Sequence, residues 1–263
     1  MKIKAKKSLG QNFLIDKNII KKIVNVGNIL PKSSILEIGA GTGNLTECIL
    51  NKNPKKIFII EKDERLVEKL KERFNDKIEI INKDILKVRE NFICSEKLLV
   101  YGNLPYNIST QILSKWIVND FKDLWYENFI FMFQKEVADR ILAQTNTKNY
   151  GRLSILSNWK LFVKKIFNIS SSCFAPKPKV QSTLLMFTPR KSYPKLENSK
   201  NLEMVTRVFF NQRRKKIKKP LYQLFKNPNK IIEKLKLNID LRPQNLSPDL
   251  YYKIAKEYEK LRK

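Results

Sequence analysis

The residues of this chain best suited to chemistry stand together as Asn103-Leu104-Pro105-Tyr106, just after the apolar run 98–101. The side-chain oxygen of Asn103 and the backbone carbonyl of Leu104, which the following proline holds out, can accept hydrogen bonds from one exocyclic amine. The ring of Tyr106 can stack on the base that carries the amine. Methyl transfer to an adenine amine needs this combination. Because Asn and Pro are also common turn residues, the segment equally fits a plain turn that closes a buried strand.

A glycine-rich segment, residues 37–43, is a second candidate site. Glycines let the backbone turn sharply and approach a ligand, and the segment follows the first predicted strand of an α/β sheet, where such sheets bind ligands. Glu61 and Asp84 end the next two predicted strands, where carboxylates can bind ribose hydroxyls and an adenine amine. The structural alternative is a glycine turn with two ordinary surface acids.

The spacing in this segment favours one class of cofactor. Glu37 stands two residues before a Gly-x-Gly-x-Gly pattern, whereas the dinucleotide fingerprint is Gly-x-Gly-x-x-Gly. The shorter form resembles the S-adenosylmethionine loop of class I methyltransferases. A nicotinamide-dependent oxidoreductase stays an alternative, although nothing in the chain supplies a hydride-transfer acid such as His or a Ser/Tyr/Lys group.

The charge of the chain predicts a polyanionic partner. Lys and Arg total 53 against 25 Asp and Glu, a formal net charge of +28. This excess favours nucleic acid, with an anionic membrane surface as the weaker alternative, although an AT-rich genome would also raise the lysine content. No stretch is long enough for a membrane span, and the basic N-terminus lacks the apolar segment of a secretory signal.

The residue types also restrict the chemistry. The chain has no histidine, which excludes His-based triads and most catalytic zinc sites. Cys48, Cys94 and Cys173 lie far apart among apolar neighbours, without metal-ligand spacing. We therefore expect no metal site, and reduced cysteines as in a cytoplasmic protein.

Apolar runs and helical patterns alternate along most of the chain. The pattern predicts strands at 35–38, 57–60, 78–81, 98–101 and 129–133, and helices at 45–50, 64–74, 109–118 and from Lys135 onward. Such repeated units imply an α/β fold, with a mostly parallel sheet and helices on both faces. Residues 161–167 and 183–188 flank a proline-rich loop and could form a terminal hairpin.

The character of the chain changes near Pro189. Residues 190–263 hold 21 Lys and Arg against 7 Asp and Glu, and the patterns at 205–210 and 231–237 are helical. We therefore predict two domains: residues 1–190, which carry both candidate sites, and a small basic helical domain of residues 191–263.

Seven sequence blocks occur in a characteristic order. They are residues 9–14, 39–43, 103–110, 134–137, 150–154, 174–180 and 211–215. In these blocks the chain closely resembles the bacterial KsgA/RsmA family of ribosomal RNA adenine N6,N6-dimethyltransferases, and the resemblance covers essentially the whole chain. Blocks 103–106 and 174–180 are its specific parts, since the glycine loop fits any class I methyltransferase.

The resemblance implies a Rossmann-like class I methyltransferase fold and a reaction. Family members transfer methyl groups from S-adenosylmethionine to two adjacent adenosines near the 3′ end of small-subunit (16S) rRNA during ribosome biogenesis. The expected partner is the immature small subunit, and the chain is expected to be a cytoplasmic monomer. By motif match, Asn12 and Leu14 would line the cofactor from the N-terminal arm, and Gly39, in the loop with Gly41, would face its methionine part. Glu61 would face the ribose of the cofactor, and Asp84 would face its adenine. Asn103 would lie beside the reacting methyl group.

The RNA contacts are predicted from aromatic and basic residues. Tyr106 and Phe174 are the candidates to stack on the extruded base, although either ring could simply pack in the fold. A basic arm (Lys2, Lys4, Lys6 and Lys7) and a basic helix face at 213–219, next to Phe209 and Phe210, could contact phosphates. Arg213, Arg214 and Lys215 are the residues we select there; a solvated charge run is the alternative for any single lysine.

Two other functions remain open from the sequence. One is an erythromycin-resistance-type methyltransferase that modifies large-subunit rRNA, against which block 174–180 and Leu104 argue. The other is a non-catalytic RNA-binding assembly factor on the same fold, against which the intact Asn103, Glu61 and Asp84 argue.

Overall fold

A computed structural model describes residues 4–118 and 124–262, with only the backbone described at Asn107. Within these residues the chain divides into two compact units. The first holds the chain up to Ile112, residues 124–138 and Val163–Pro189. The second holds residues 113–118, 139–162 and 190–262. Its last segment starts at Arg190, but the unit also includes two earlier segments that the sequence pattern did not assign to it.

The described residues contain nine strands. They are β1 Phe13–Leu14, β2 Ser34–Ile38, β3 Lys56–Ile60, β4 Glu79–Ile81, β5 Leu98–Gly102, β6 Tyr126–Gln134, β7 Leu161–Ile169, β8 Phe174–Ala175 and β9 Ser182–Pro189. Seven of them form one sheet in the order β4-β3-β2-β5-β6-β9-β7. Strands β4, β3, β2, β5 and β6 are parallel neighbours, and β9 joins β6 in the antiparallel direction. The prediction of a mostly parallel sheet is confirmed, and so is the adjacency of β7 and β9.

The described residues also contain ten α-helices. They are α1 Lys17–Val26, α2 Asn44–Leu50, α3 Glu64–Phe74, α4 Tyr106–Val118, α5 Lys135–Ile141, α6 Arg152–Lys160, α7 Lys200–Phe210, α8 Lys218–Leu224, α9 Pro228–Leu235 and α10 Pro248–Lys260. Helix α4 begins three residues before its predicted start, because Pro105 can occupy the position just before a first turn, where no N–H donor is needed. No helix in the ranges 4–118 and 124–262 is both long and apolar enough to cross a bilayer.

The order of the strands creates a crevice beyond the carboxyl ends of the central strands β2 and β5. The chain passes from β2 outward to β3 and β4, and then returns to β5 and β6 on the other side of β2. Right-handed crossovers therefore place α2 and α3 on one face and the start of α4 on the opposite face. At this reversal the loops after β2 and β5 diverge, and open α/β sheets bind ligands at such a point.

Both central strands of the sheet are covered on both faces. Every residue of β2 and of β5 is buried, as expected for a parallel sheet between two layers of helices. On one face, Ile35 and Leu99 belong to the same apolar cluster as Ile23 of α1 and Ile49 of α2. This packing fixes the ends of β2 and β5, and hence the loops that follow them.

The second unit is helical in its residues from 190 onward. Helix α10 packs against α7 and α6. The buried carboxylate of Glu259 on α10 accepts hydrogen bonds from the backbone N–H groups of Glu197 and Asn198 and from the side-chain amide of Asn201. These bonds tie the segment before α7 to the last helix of the chain.

One contact beneath the sheet gives a stability prediction. The buried hydroxyl of Tyr101 donates to the Val24 carbonyl at 2.8 Å, and a Cβ on Gly27 would lie 2.1 Å from that hydroxyl oxygen. Because overpacking of a core is costly, we expect Gly27→Ala to lower the free energy of unfolding by about 1–3 kcal/mol in urea denaturation. In a Tyr101→Phe background the penalty of Gly27→Ala should shrink. An equal penalty in both backgrounds would contradict this account.

Candidate active site

Four predicted site residues meet at one edge of the sheet. Gly39 follows β2, Glu61 follows β3, Asp84 lies just beyond β4, and Asn103 follows β5. The carboxyl ends of parallel strands share one edge, so these residues border a common cleft. The cleft holds about 990 Å³ of empty space including its open mouth, the size of a pocket for a nucleoside-sized ligand. Among the residues that line it are Ser8, Gln11, Asn12, Phe13, Gly39, Gly41, Glu61, Lys62, Asp84, Asn103, Leu104 and Tyr106.

The glycine loop approaches the cleft closely because Gly39 and Gly41 carry no side chains. Gly39 and Gly41 have φ values of +70° and +59°, a left-handed conformation that costs other residues roughly 1 kcal/mol or more. A Cβ on Gly41 would lie 2.8 Å from Cδ1 of Phe13. The backbone of this loop therefore lies directly against the cleft.

Glu61 is a buried carboxylate held by the backbone. It is 7% exposed, and it accepts hydrogen bonds from the N–H groups of Gly41 (3.2 Å), Lys62 (2.9 Å) and Asp63 (3.0 Å). Burial raises the pKa of this carboxyl, and the three N–H groups oppose that rise. A carboxylate has about four acceptor positions, so Glu61 keeps one for a ligand hydroxyl.

Asp84 is oriented by two donors. Its Oδ2 accepts from the ammonium of Lys62 at 2.8 Å, and its Oδ1 accepts from the backbone N–H of Leu86 at 3.0 Å. The hydrogen bond from Lys62 holds the pKa of this carboxyl below its ordinary value. Asp84 is therefore an ionised acceptor at the border of the cleft, with lone pairs to spare.

The amide of Asn103 has a fixed orientation. Its Nδ2 donates to the backbone carbonyl of Asn12 at 2.8 Å. No described residue donates to its Oδ1. The side chain thus uses its donor within the protein and keeps its acceptor for a ligand.

The residues after Asn103 complete a small binding surface. Leu104 has a buried side chain, and Pro105 has no N–H, so the turn offers its carbonyls rather than donors. Tyr106 begins α4 and lines the cleft, and its hydroxyl lies 2.7 Å from Oγ of Ser182. This bond holds the tyrosine ring in place against the cleft.

The N-terminal arm, defined here as residues 6–14, forms one wall of the cleft. Its last two residues form β1, which pairs with β8 in a two-stranded antiparallel sheet. The side chain of Asn44 donates to the Leu14 carbonyl at 2.9 Å. The arm is thereby attached beside the glycine loop, with Asn12 and Phe13 at the cleft.

Two predicted site residues do not reach the cleft. Leu14 and Phe174 are partners across the β1–β8 pair, with exposed fractions of 5% and 2%, and both belong to the apolar core cluster. Apolar side chains in this short pairing turn into the core, so neither lines the cleft. Both residues anchor the arm through the β1–β8 pair, and the contacts of Leu14 with the cofactor and of Phe174 with a base stay predictions.

Comparison with known proteins identifies the family of this chain. A family model for ribosomal RNA adenine dimethylase matches residues 2–260. The chain belongs to the ribosomal RNA adenine dimethylase family. A relative from Pelagibacter ubique (strain HTCC1062) is named ribosomal RNA small subunit methyltransferase A. It is 57% identical to this chain over 262 residues, and the match covers 100% of each chain. A relative of the same name from Ehrlichia canis is 40% identical, with 97% of each chain covered.

Solved structures show the same fold for this dimethylase-family chain. A dimethyladenosine transferase from Plasmodium falciparum superposes with a TM-score of 0.81 at 28% identity, over 94% of this chain and 98% of that one. The 23S rRNA methyltransferase ErmE superposes with a TM-score of 0.67 at 21% identity, over 95% and 100% of the chains. At that identity ErmE shares the fold alone. The predicted class I methyltransferase fold is confirmed.

The basic segment predicted to contact RNA is not the helix we expected. Residues 211–214 form a turn, and α8 begins only at Lys218, so the predicted helix face at 213–219 is wrong in its first half. The guanidinium of Arg213 donates to the backbone carbonyls of Lys148 and Thr147 and to Oε1 of Gln244. Arg213 therefore holds the family member's second unit together, while Arg214 and Lys215 are exposed.

The aromatic neighbours of this segment, Phe209 and Phe210, pack against other residues of the fold. Phe209 is fully buried, and the ring of Phe210 stacks on that of Tyr251. In the basic N-terminal segment, Lys4 and Lys7 are exposed, whereas Lys2 lies outside the described residues. Whether these exposed cations touch RNA in this dimethylase-family chain stays a prediction.

Sequence reasoning missed three residues of the cleft region in this family member. Phe13 and Gln11 line the cleft, and Gln11 donates to the carboxylate of Asp63 at 2.9 Å. Phe13 and Gln11 stand inside the block at 9–14, and Asp63 is two residues beyond Glu61. Their proximity to those motifs was the available signal. Nothing in the sequence indicated that Gln11 and Asp63, which are 52 positions apart, form a hydrogen bond.

Strand β2 of this family member contains a carboxyl, just before the glycine loop, that predicts a pH effect. Glu37 is buried, accepts from Oγ1 of Thr46 at 2.7 Å, and has its pKa raised by burial to about 7. A carboxyl with a raised folded-state pKa stabilises the fold below its unfolded pKa and loses that contribution as pH rises through the folded pKa. We expect Glu37 to lower the free energy of unfolding by up to about 3 kcal/mol between pH 4.5 and pH 7.

The variant Glu37→Gln tests this effect. Glutamine keeps an acceptor oxygen for Thr46 and has no charge to bury, so the variant should be flatter in stability over this pH range and more stable than the wild type at pH 8. Urea denaturation at several pH values measures both. A wild-type slope in Glu37→Gln would show that other groups cause the pH dependence.

Proposed function

We propose that this chain transfers methyl groups from S-adenosylmethionine to the N6 amines of two adjacent adenosines near the 3′ end of small-subunit rRNA. The orientation of Asn103 carries the proposal: its Nδ2 is used by the Asn12 carbonyl and its Oδ1 is kept as an acceptor. The names of the Pelagibacter ubique and Ehrlichia canis relatives support the small subunit as the source of the RNA. The described site favours an enzyme over a non-catalytic binding factor, because the carboxylates of Glu61 and Asp84 both keep free acceptor positions.

The acceptors act on a weak nucleophile. The lone pair of the adenine N6 is delocalised into the ring. Hydrogen bonds from its two N–H groups to Oδ1 of Asn103 and to the carbonyl of Leu104 favour a more tetrahedral nitrogen and return the lone pair to it. Each bond contributes about 1–3 kcal/mol, and correct positioning of the amine contributes more. Tyr106, held by Ser182, is the proposed stacking partner of the extruded base.

The residues around the glycine loop fit the methyl donor. S-adenosylmethionine, when bound, supplies an electrophilic methyl group on a sulfonium. Gly39 leaves the space that a Cβ would fill, and the absence of a Cβ on Gly41 lets the ring of Phe13 pack against the loop. Asn12 lines the same wall. The free acceptor position of Glu61 fits a ribose hydroxyl, and the ionised Asp84 fits an adenine amine. All of these groups lie in one cleft.

Proton transfer needs no strong base in this proposal. The chain contains no histidine, and the methylated amine is acidic enough to lose its proton to water after the attack. The second methylation meets an amine with one N–H fewer. Asn103 and Leu104 can then share only one hydrogen bond, so the amine must rotate within the cleft.

The RNA is held by charge as well as by the cleft. Net charge of +28 attracts phosphates, and Arg214 and Lys215 expose their cations on the second unit. Such contacts position a substrate without specifying its sequence. We include the exposed Lys4 and Lys7 of the N-terminal segment in this role and leave Arg213 out, because its guanidinium is already engaged.

Transfer of a labelled methyl group tests the proposal. Purified small subunits that lack the modification and naked large-subunit rRNA are each incubated with the chain and methyl-labelled S-adenosylmethionine. We expect label in the small subunits alone, and primer extension should stop at two adjacent adenosines near the 3′ end. Label in the large-subunit rRNA, or RNA binding without label, would contradict the proposal and support one of the two alternatives.

We further propose that the chain acts as a cytoplasmic monomer on the immature small subunit. Sedimentation of the isolated chain should give the mass of one copy, and in cell extracts it should co-sediment with particles lighter than mature subunits. Co-sedimentation with mature subunits alone would contradict this part of the proposal.

A further inference from the structure

Residues 6–11 of the N-terminal arm form a small rigid turn. The N–H of Gly10 donates to the Lys7 carbonyl at 3.0 Å, and Gly10 itself is left-handed with φ of +64°. The side chain of Gln11 closes the turn, because its Oε1 accepts from the N–H of Lys6 at 2.8 Å. The amide of Gln11 therefore has a defined orientation, with its Nε2 turned away from the turn.

This turn is attached to the sheet through Asp63. The Nε2 of Gln11 donates to Oδ2 of Asp63 at 2.9 Å. Asp63 is 4% exposed, and its carboxylate also accepts from Arg65 at 2.7 and 3.0 Å and faces the ammonium of Lys6 at 3.6 Å. The hydrogen bond from Arg65 holds the pKa of Asp63 well below its ordinary range, so the carboxylate that holds the turn is charged at neutral pH.

The same arm orients Asn103. Asn12 follows Gln11 directly, and its backbone carbonyl is the acceptor for Nδ2 of Asn103. Residues 13 and 14 are fixed separately by the β1–β8 pair. The carbonyl of Asn12 thus lies between two attachments, the strand pair on one side and the contact from Gln11 to Asp63 on the other.

We propose that Asp63 is a positioning residue for methyl transfer, which acts through Gln11 and the Asn12 carbonyl to keep Oδ1 of Asn103 turned toward the substrate amine. The inference rests on the proposed function, since it assigns Asn103 the acceptor role. Asp63 does not touch the substrate. It also joins the arm to the cofactor side of the cleft, because its own N–H donates to Glu61 at 3.0 Å.

An exchange of the two groups tests the proposal. Gln11→Glu replaces one N–H donor by an oxygen that faces the carboxylate of Asp63, and Asp63→Asn places a donor opposite that oxygen. We expect Gln11→Glu to lower kcat at saturating substrates by at least about tenfold. The double variant Gln11→Glu/Asp63→Asn should regain part of this loss, because the hydrogen bond returns with its direction reversed, while the bond from Nη2 of Arg65 to the same position, Oδ2, is lost.

Trypsin cleavage without any cofactor gives a second readout. The arm carries Lys6 and Lys7, so its release should speed cleavage there about tenfold or more in Gln11→Glu, with recovery in the double variant. Glu64→Ala, at an exposed neighbour of Asp63 that leaves Gln11, Asp63 and Arg65 in place, is the control and should stay within about threefold of the wild type in kcat.

The outcomes separate the inference from the proposed function. The role of Asp63 would be overturned if Gln11→Glu had the kcat of the wild type. It would also be overturned if the double variant were no better than Gln11→Glu in both readouts. In either case, methylation by the wild type would still support the proposed function. No methylation by the wild type would refute the proposed function. In that case the cleavage rates still decide whether Asp63 clamps the arm.

Discussion

Asn103→Ala is expected to lower kcat for methyl transfer by at least about 100-fold, the usual cost of removing one preorganised group that acts on the reacting centre. The substitution removes the acceptor Oδ1 and also the donor that holds the Asn12 carbonyl at 2.8 Å. The affinity for S-adenosylhomocysteine should fall by less than about tenfold, because the acids at Glu61 and Asp84 are untouched. Single-turnover methylation of small subunits and calorimetric titration with S-adenosylhomocysteine measure the two quantities.

Asn44→Ala is the matched control for Asn103→Ala. Asn44 also donates its Nδ2 to a backbone carbonyl of the arm, that of Leu14 at 2.9 Å, but it does not line the cleft. Its loss should change kcat by less than about threefold, because β1–β8 pairing still holds Leu14. A similar large loss in both variants would mean that arm attachment, and not the acceptor Oδ1, limits the reaction.

Asn103→Asp separates the two uses of the amide. Aspartate keeps an acceptor for the substrate amine, but it brings a carboxylate oxygen against the Asn12 carbonyl in place of a donor. Two acceptors without a proton between them repel, so the side chain should rotate away and kcat should again fall strongly. Activity near that of the wild type in Asn103→Asp would show that the bond to Asn12 is dispensable.

The sheet and the positions of its ligand-binding loops could be predicted because the responsible forces are local. Apolar runs such as 57–60 predict a buried strand, and Gly39, Glu61 and Asn103 each stand within two residues of the end of such a run. The parallel order then brings Glu61, Asp84 and Asn103 to one edge without further information. The glycine spacing predicted a close backbone approach, and the positive φ of Gly39 and Gly41 accounts for it.

The residues that lie away from the cleft depend on contacts between distant parts of the chain. Leu14 and Phe174 are 160 positions apart and meet in a two-residue strand pair, which is too short to leave a pattern of alternating polarity. Arg213 looked like a phosphate-binding group, but the carbonyls that it contacts belong to residues 147 and 148. A sequence shows which groups can donate, and it does not show which acceptors the fold will supply.

Glu61→Ala is expected to produce the second large effect, a loss of at least about 100-fold in affinity for S-adenosylhomocysteine. A ribose hydroxyl bound to a buried, charged acceptor contributes about 1.5–3 kcal/mol. The substitution also frees the three N–H groups of Gly41, Lys62 and Asp63 that the carboxylate holds. The glycine loop would then lose the bond that fixes Gly41 against the cleft, so binding falls by more than the single ligand contact.

Stability must be measured together with affinity, because the unliganded variant also leaves N–H groups without their acceptor. Calorimetric titration gives the affinity, and the melting temperature without ligand gives the change in stability that Glu61→Ala itself causes. Glu64→Ala, at an exposed acid three residues further on, is the control and should bind as the wild type does. If Glu61→Ala bound within threefold of the wild type, the ligand's ribose would lie elsewhere, and Asp84 with the glycine loop would have to account for the whole of the cofactor site.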